Sequence, residues 1–156
     1  MRHHTSYTLT LLVLLVSVFY FIQNARATSS DIHINEIAAF ESTGNEWIEI
    51  VNNGSEPIEL TGWKFVEAGV NHGLTLAQGS DMVLGPDEYA IITQDATVFV
   101  AAYPNVTVRI FDSSWGTLNE SGELIGLRDP NGNMVEEFTY VSAPDFSLER
   151  KENISD

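Results

Sequence analysis

No cysteine occurs in the 156 residues, so no disulfide, thiol nucleophile, Cys-based zinc site or lipidated cysteine is available. Whatever fold forms must be held by its core alone. Basic residues are scarce, seven Lys and Arg against 22 Asp and Glu, a formal net charge of −15. Such a chain repels phosphate backbones and anionic head groups, which makes nucleic acid a poor partner. Histidine is nearly absent too: only His33 and His72 lie beyond residue 27, and neither has a second His or an acid at ligand spacing. No G-x-S-x-G elbow, G-x-x-x-x-G-K-[ST] loop or H-E-x-x-H helix occurs, so nucleophilic, phosphate-binding and zinc chemistries lack their parts.

Long apolar runs are missing as well, with one exception at the amino end. Arg2, His3 and His4 precede "LTLLVLLVSVFYFI" (Leu9 to Ile22), and Ala25-Arg26-Ala27 follows. A basic start, an apolar middle and an A-x-A exit predict a secretory signal over residues 1–27, cleaved after Ala27. The apolar run is short of the roughly 20 residues a spanning helix needs. Removing Arg2 and Arg26 leaves 22 acids against five bases, so the mature chain is more acidic still. The expected product is exported, to the periplasm, the cell surface or the medium, without a membrane span.

From Asp31 onward apolar residues come in short bursts between turn residues, which predicts an all-β domain over 31–150 followed by a flexible tail, 151–156. In "DIHINEIA" Ile32 and Ile34 alternate while Ile37 falls on the opposite parity, predicting either a bulge or a strand end near Asn35-Glu36. "EWIEIVN" places Ile48 and Ile50 on one face with Trp47, Glu49 and Val51 on the other. After it, "PIEL" and "WKFVE" read as a meander with that strand. "HGLTL", "EYAIIT", "VTVRIF", "GELIGLRD" and "NMVEEFTY" complete about eight strands. The last two flank Asn131-Gly132, a pair suited to a hairpin turn with positive φ at both central positions. "DATVFVAAYP" predicts a short helix near 96–102 capped by Asp95, with a strand as the alternative. Strand number and spacing make a β-sandwich the leading architecture.

Four kinds of residue merit weighing as chemistry. Glu46, Glu49, Glu56 and Glu59 contain enough carboxylates for a glycosidase pair, but period-two alternation accounts for Glu49 and Glu59, and the glutamates of this stretch are expected to be mainly solvated. Asp129, Asn131 and Asn133 begin like a calcium loop, yet Tyr140 stands where a bidentate Glu is required. Trp63 shares parity with Phe65 and is expected in the core. Trp47 and Trp115 either cover a sandwich edge or, beside carboxylates, offer a platform for sugar. His33 and His72 are expected to be solvated. Sequons at Asn53, Asn105, Asn119 and Asn153 fall mostly in turn sequence and carry no weight by themselves.

Taken in order, "INEIA", "EWIEIVN", "IELTGWKF", "LGPDEYAIIT", "FVAAYP", "TLNESGELIGLRDPNGNMVEEFTY" and "FSLER" resemble the lamin-tail domain family, in its prokaryotic exported branch, from Ile34 to Arg150. The resemblance implies an immunoglobulin-like β-sandwich with no catalytic residues, no cofactor and no metal. It marks Asn35, Glu36, Trp47, Glu49, Asn52, Gly62, Trp63, Asn119, Gly122, Asp129, Gly132 and Arg150 as fold-defining positions, together with Leu60, Leu118, Leu127 and Tyr140. The function it implies is an exported, non-catalytic module that binds or organises an unidentified protein or glycan partner at the envelope. The competing expectation is a cation-dependent carbohydrate-binding or adhesive module using Asp129 or a Glu cluster with Trp47 or Trp115. A nuclear role does not follow, because no heptad rod or basic import cluster is present.

Overall fold

Alternation of apolar and polar residues decides which face of each strand is dry, and here it sorts the chain into two sheets with one core between them. The computed structural model describes residues 31–41 and 44–151, so the predicted signal, its Ala27 exit, the sequon at Asn153 and most of the predicted tail lie outside the described residues. The elements are β1 (Ile32–Ala38), β2 (Trp47–Asn52), β3 (Ile58–Glu59), β4 (Lys64–Glu67), β5 (Val70–Gly73), β6 (Thr75–Gln78), β7 (Val83–Leu84), β8 (Tyr89–Thr93), α1 (Ala96–Ala102), β9 (Arg109–Asp112), β10 (Leu124–Arg128), β11 (Met134–Thr139) and β12 (Leu148–Glu149).

One sheet has the order β12-β1-β2-β8-β9-β6, the other β11-β10-β4-β5, and β3 pairs with β7 in a small ribbon. Consecutive β2, β3 and β4 therefore lie in three different sheets, and the expected meander does not form. "NNGSEP" and Thr61-Gly62 do turn the chain, but they carry it from one layer to the other. Two strands too short to show a period, β7 and β12, and the division of "HGLTL" into two bring the total among the described residues to twelve. "HGLTL" divides between β5 and β6 at Leu74, so that strand too crosses sheets.

The core is where alternation predicts it. Ile32, Ile34, Ile48, Ile50, Leu60, Trp63, Phe65, Ile92, Phe111, Ile125 and Leu127 are buried in one cluster between the sheets. Each large aliphatic or aromatic side chain removed from water there contributes roughly 1.5–3 kcal/mol. The predicted bulge exists: the β1–β2 register shifts between Ile34 and Glu36, which returns Ile37 to the inner face. A second, smaller cluster forms on the outer face of the six-stranded sheet. Ile91 and Ile110 lie under Ala96 and Phe99 of α1, with Trp47 and Tyr103 packed at its margin.

α1 spans the predicted residues. Asp95 caps it by accepting from the N–H groups of Thr97 and Val98, and the Asp112 carboxylate accepts from Ala96 N at 2.9 Å. The helix links β8 to β9, which run parallel, the exception in an otherwise antiparallel sheet.

The β10–β11 hairpin turns differently from its prediction. Gly132 has φ of +88° while Asn131 does not enter the left-handed region, and Gly132 N donates to Asp129 O at 3.0 Å. This is the geometry of a turn followed by one left-handed glycine, with the register shift it produces at Leu127/Arg128. Proline at position 130 favours that turn because its φ is preset.

Gly122, at φ +101°, sits where an added Cβ would meet Tyr140 O at 2.3 Å. Gly122→Ala combines backbone strain with a clash against main chain, and is expected to cost about 2–4 kcal/mol of stability. Urea unfolding of the variant measures it; a midpoint equal to wild type would mean that the Gly122–Tyr140 approach is not retained in solution.

Candidate binding surface

The glutamates that alternation would expose divide into two groups. Glu59 is exposed and accepts from Thr61 N at 2.9 Å, as a solvated turn residue does. Glu49 is half-buried, accepts from Asn35 Nδ2 at 2.8 Å, and has its pKa raised by burial, with Glu36 and Glu149 adding to the rise. Glu46 is 1% exposed, contrary to the expectation that the glutamates of this stretch are mainly solvated. Its parity explains the position: 46, 48 and 50 share the inner face of β2 and its approach.

One carboxylate oxygen of Glu46 accepts two hydrogen bonds, from Trp115 Nε1 and from Leu118 N, both at 2.9 Å. Burial raises its pKa, and these two donors only partly offset that rise. Glu123 and Glu67 push in the same direction. Trp115 is held with its ring 4.8 Å from Phe65 and is buried, so it is a core residue and no sugar platform. The neighbouring Asn119 accepts from Ser121 through its side chain, and its carbonyl accepts from Tyr140 Oη at 2.8 Å. Burial, then the charge of Glu123, raises the Tyr140 pKa. Tyr140 therefore acts as a neutral donor.

A second carboxylate bridges the sheets. Both main-chain groups of Ile34, next to the bulge, are bonded by side chains: the N–H donates to Glu136 Oε2 at 2.6 Å, and the carbonyl accepts from Arg150 Nε at 2.8 Å. Arg150 and Glu136 also form an ion pair, and the guanidinium lies 5.8 Å from the centre of the Phe138 ring. His33 Nδ1 approaches Glu136 at 3.5 Å. His72 is likewise engaged, its two nitrogens facing Ser114 O at 2.7 Å and Glu67 at 3.2 Å. Neither histidine is simply solvated. Beside the Arg150–Glu136 pair, the seam between β1 and β11 opens into a groove of about 340 Å³, with Ile37, Phe138, Tyr140 and Leu148 among its walls.

The other positions marked in the sequence are structural. Asn52 is fully buried and donates from Nδ2 to Glu56 O and Leu84 O while accepting from Gly54 N, each at 2.9 Å. Glu36 accepts from Ser147 Oγ. Gly62 takes φ of +81° before Trp63, which is buried. Asp129 accepts from the N–H groups of Asn131 and Asn133 and from Asn133 Nδ2, which lower its pKa, the side-chain bond most. Both its oxygens are committed to the turn, so the residues that begin like a calcium loop serve the hairpin. Among the described residues no helix is long and apolar enough to cross a membrane. Asn53, Asn105 and Asn119 are exposed. Trp47 stands edge-on to Phe99 and Tyr103, with ring centres 6.3 and 6.5 Å away. It does not approach Lys64, which belongs to the other sheet.

Two sheets closed by buried carboxylates, a cysteine-free core and one crossover helix define an immunoglobulin-like β-sandwich. The lamin tail domain profile matches residues 25–142, more than half of the chain, and the chain belongs to that family. Domains of this family are generally non-catalytic. The match stops short of β12, so Arg150 rests on its bonds to Ile34 and Glu136. No curated protein matches the sequence significantly. Glu46 shares parity with the buried Ile48 and Ile50, which is the signal its place in the sequence carries.

Because the Glu46 pKa is raised in the folded state, its contribution to stability is full below the unfolded value and is lost as pH rises through the folded one. The stability of Glu46→Gln relative to wild type is therefore expected to improve from pH ~4 to pH ~7. Glu46→Ala, which strands two donors and opens a cavity, should lose about 2–4 kcal/mol. Chemical denaturation at several pH values measures both, and a pH-independent Gln difference would deny the carboxylate any charge-linked role. At the seam, Glu136→Ala is expected to cost about 1–3 kcal/mol by leaving Ile34 N–H and Arg150 unpaired. An unchanged denaturation midpoint would remove Glu136 as the link between sheets.

Proposed function

We propose that the chain is an exported, non-catalytic lamin-tail-type module with a binding or structural role at the cell envelope or outside the cell. The observation that carries export is the pattern of a basic start, an apolar run and Ala25-Arg26-Ala27 at the amino end. The binding role is supported by how the acidic residues are used. Glu46, Glu136 and Asp129 each spend their carboxylates on main-chain N–H groups, which suits a rigid scaffold whose grooves and loops make contact with a partner. A protein or glycan at the envelope is the partner class this reading names. The cation-dependent version is disfavoured by the filled coordination of Asp129.

Expression of the full chain with a carboxyl-terminal tag, followed by fractionation and amino-terminal sequencing, tests the reading. The expected outcome is a product outside the cytoplasm beginning at Thr28. Recovery of uncleaved chain in the cytosol alone would overturn it.

A further inference from the structure

Four aromatic rings and two carboxylates from distant parts of the chain converge beside α1, at the margin of the smaller apolar cluster, with Phe40 also packed against the main core. Phe40 and Glu41 follow β1, Trp47 begins β2, Tyr103 caps α1, and Asp145 and Phe146 lie on the turn before β12; together they line a pocket of about 280 Å³. Among the described residues no lysine or arginine lines it. Asp145 has φ of +67°, and the turn it belongs to, closed by Phe146 N donating to Ala143 O at 3.1 Å, leaves the Phe146 ring 74% exposed. An aromatic ring so exposed at the mouth of an aromatic pocket is not explained by core packing.

The polar groups add a sign to the pocket. Glu41 accepts from Tyr103 Oη and from Asn45 Nδ2, each at 3.2 Å, and has no cationic partner among the described residues. Trp47 Nε1 is buried, close enough to the Tyr103 hydroxyl to lower its pKa, yet makes no hydrogen bond of acceptable geometry; burial leaves the Tyr103 pKa raised on balance. The phenol therefore stays neutral. Rings set around a cavity, with carboxylates beside them and a chain of strongly negative net charge, favour an organic cation, since aromatic faces attract cations and the local field concentrates them. A hard metal ion would need several free oxygens, whereas both Glu41 oxygens already accept hydrogen bonds. A sugar would want a flat open ring, and Trp47 is flanked by Phe99 and Tyr103.

We propose that the pocket formed by Phe40, Glu41, Trp47, Tyr103, Asp145 and Phe146 binds a small molecule bearing a quaternary ammonium head. The rings surround the methylated cation, and Glu41 and Asp145 neutralise it. The proposal rests on the reading of the domain as a binding module and names a ligand class for it.

Choline is the probe, with its neutral isostere, in which a tert-butyl group replaces trimethylammonium, as the control. Heteronuclear NMR of the purified protein follows the three indole N–H resonances, that of Trp47 being assigned from Trp47→Phe. Choline is expected to shift the Trp47 resonance saturably while the isostere does not. Glu41→Gln and Phe146→Ala, both peripheral to the core, should each weaken binding by roughly five-fold or more with unchanged circular dichroism. No saturable shift, an equal response to the isostere, or full affinity in both variants would overturn the site. A failure here with the chain recovered outside the cell removes the ammonium pocket and leaves the exported module; choline binding by a chain confined to the cytosol does the reverse.

Discussion

The carboxylate of Glu46, deprived of water and facing two N–H donors from one loop, is the contact on which the end of the sandwich depends. An ionised or even a neutral carboxyl in that position is costly unless its oxygens are bonded, and here the donors come from Trp115 and Leu118. Those bonds fix the segment between β9 and β10. Once it is fixed, Trp115 reaches Phe65, Leu118 enters the core, and Asn119 receives the Tyr140 hydroxyl. The main-chain carbonyl of Glu46 accepts from Thr93 Oγ1 and Gln94 N as well, so the same residue joins the loop to β8. One polar residue on the inner face thus organises apolar packing around it, which a leucine of similar size has no means to do.

Much of the fold was legible because strands have a period of two. Ile48 and Ile50 inside, Trp63 with Phe65, the bulge beside Asn35 and the Asp95 cap were all readable from spacing and residue type. Residue type misled at Glu46. It shares parity with the buried Ile48 and Ile50, and only the tertiary donors that meet it make burial tolerable. Turn residues were equally ambiguous. A Gly or Pro says that the chain turns, but whether it returns within a sheet or crosses to the other layer depends on partners far along the sequence, and so the supposed meander became three sheets. The aromatic pocket was hidden for the same reason, since Glu41, Tyr103 and Phe146 have no sequence relation to one another.

The sandwich also shows how an acidic chain protects its margins. Edge strands present unpaired main-chain groups that invite another strand, and charged, short or irregular edges discourage it. β11 has Glu136 and Glu137, β12 is only two residues long, and β6 meets its neighbour through a register shift. Membership of the lamin tail domain family explains the architecture these devices protect, while the chemistry of any ligand lies in the grooves and loops laid over it.

β12 closes against β1 through Glu36 and Leu148–Glu149, and Arg150 reaches Ile34 across 116 positions of sequence. A contact of that span has a temporal consequence. β1 cannot acquire its outer neighbour until the distant β12 has emerged, so any shorter length of chain keeps that edge of β1 unpaired. Completion of the six-stranded sheet is thereby tied to the synthesis of β12.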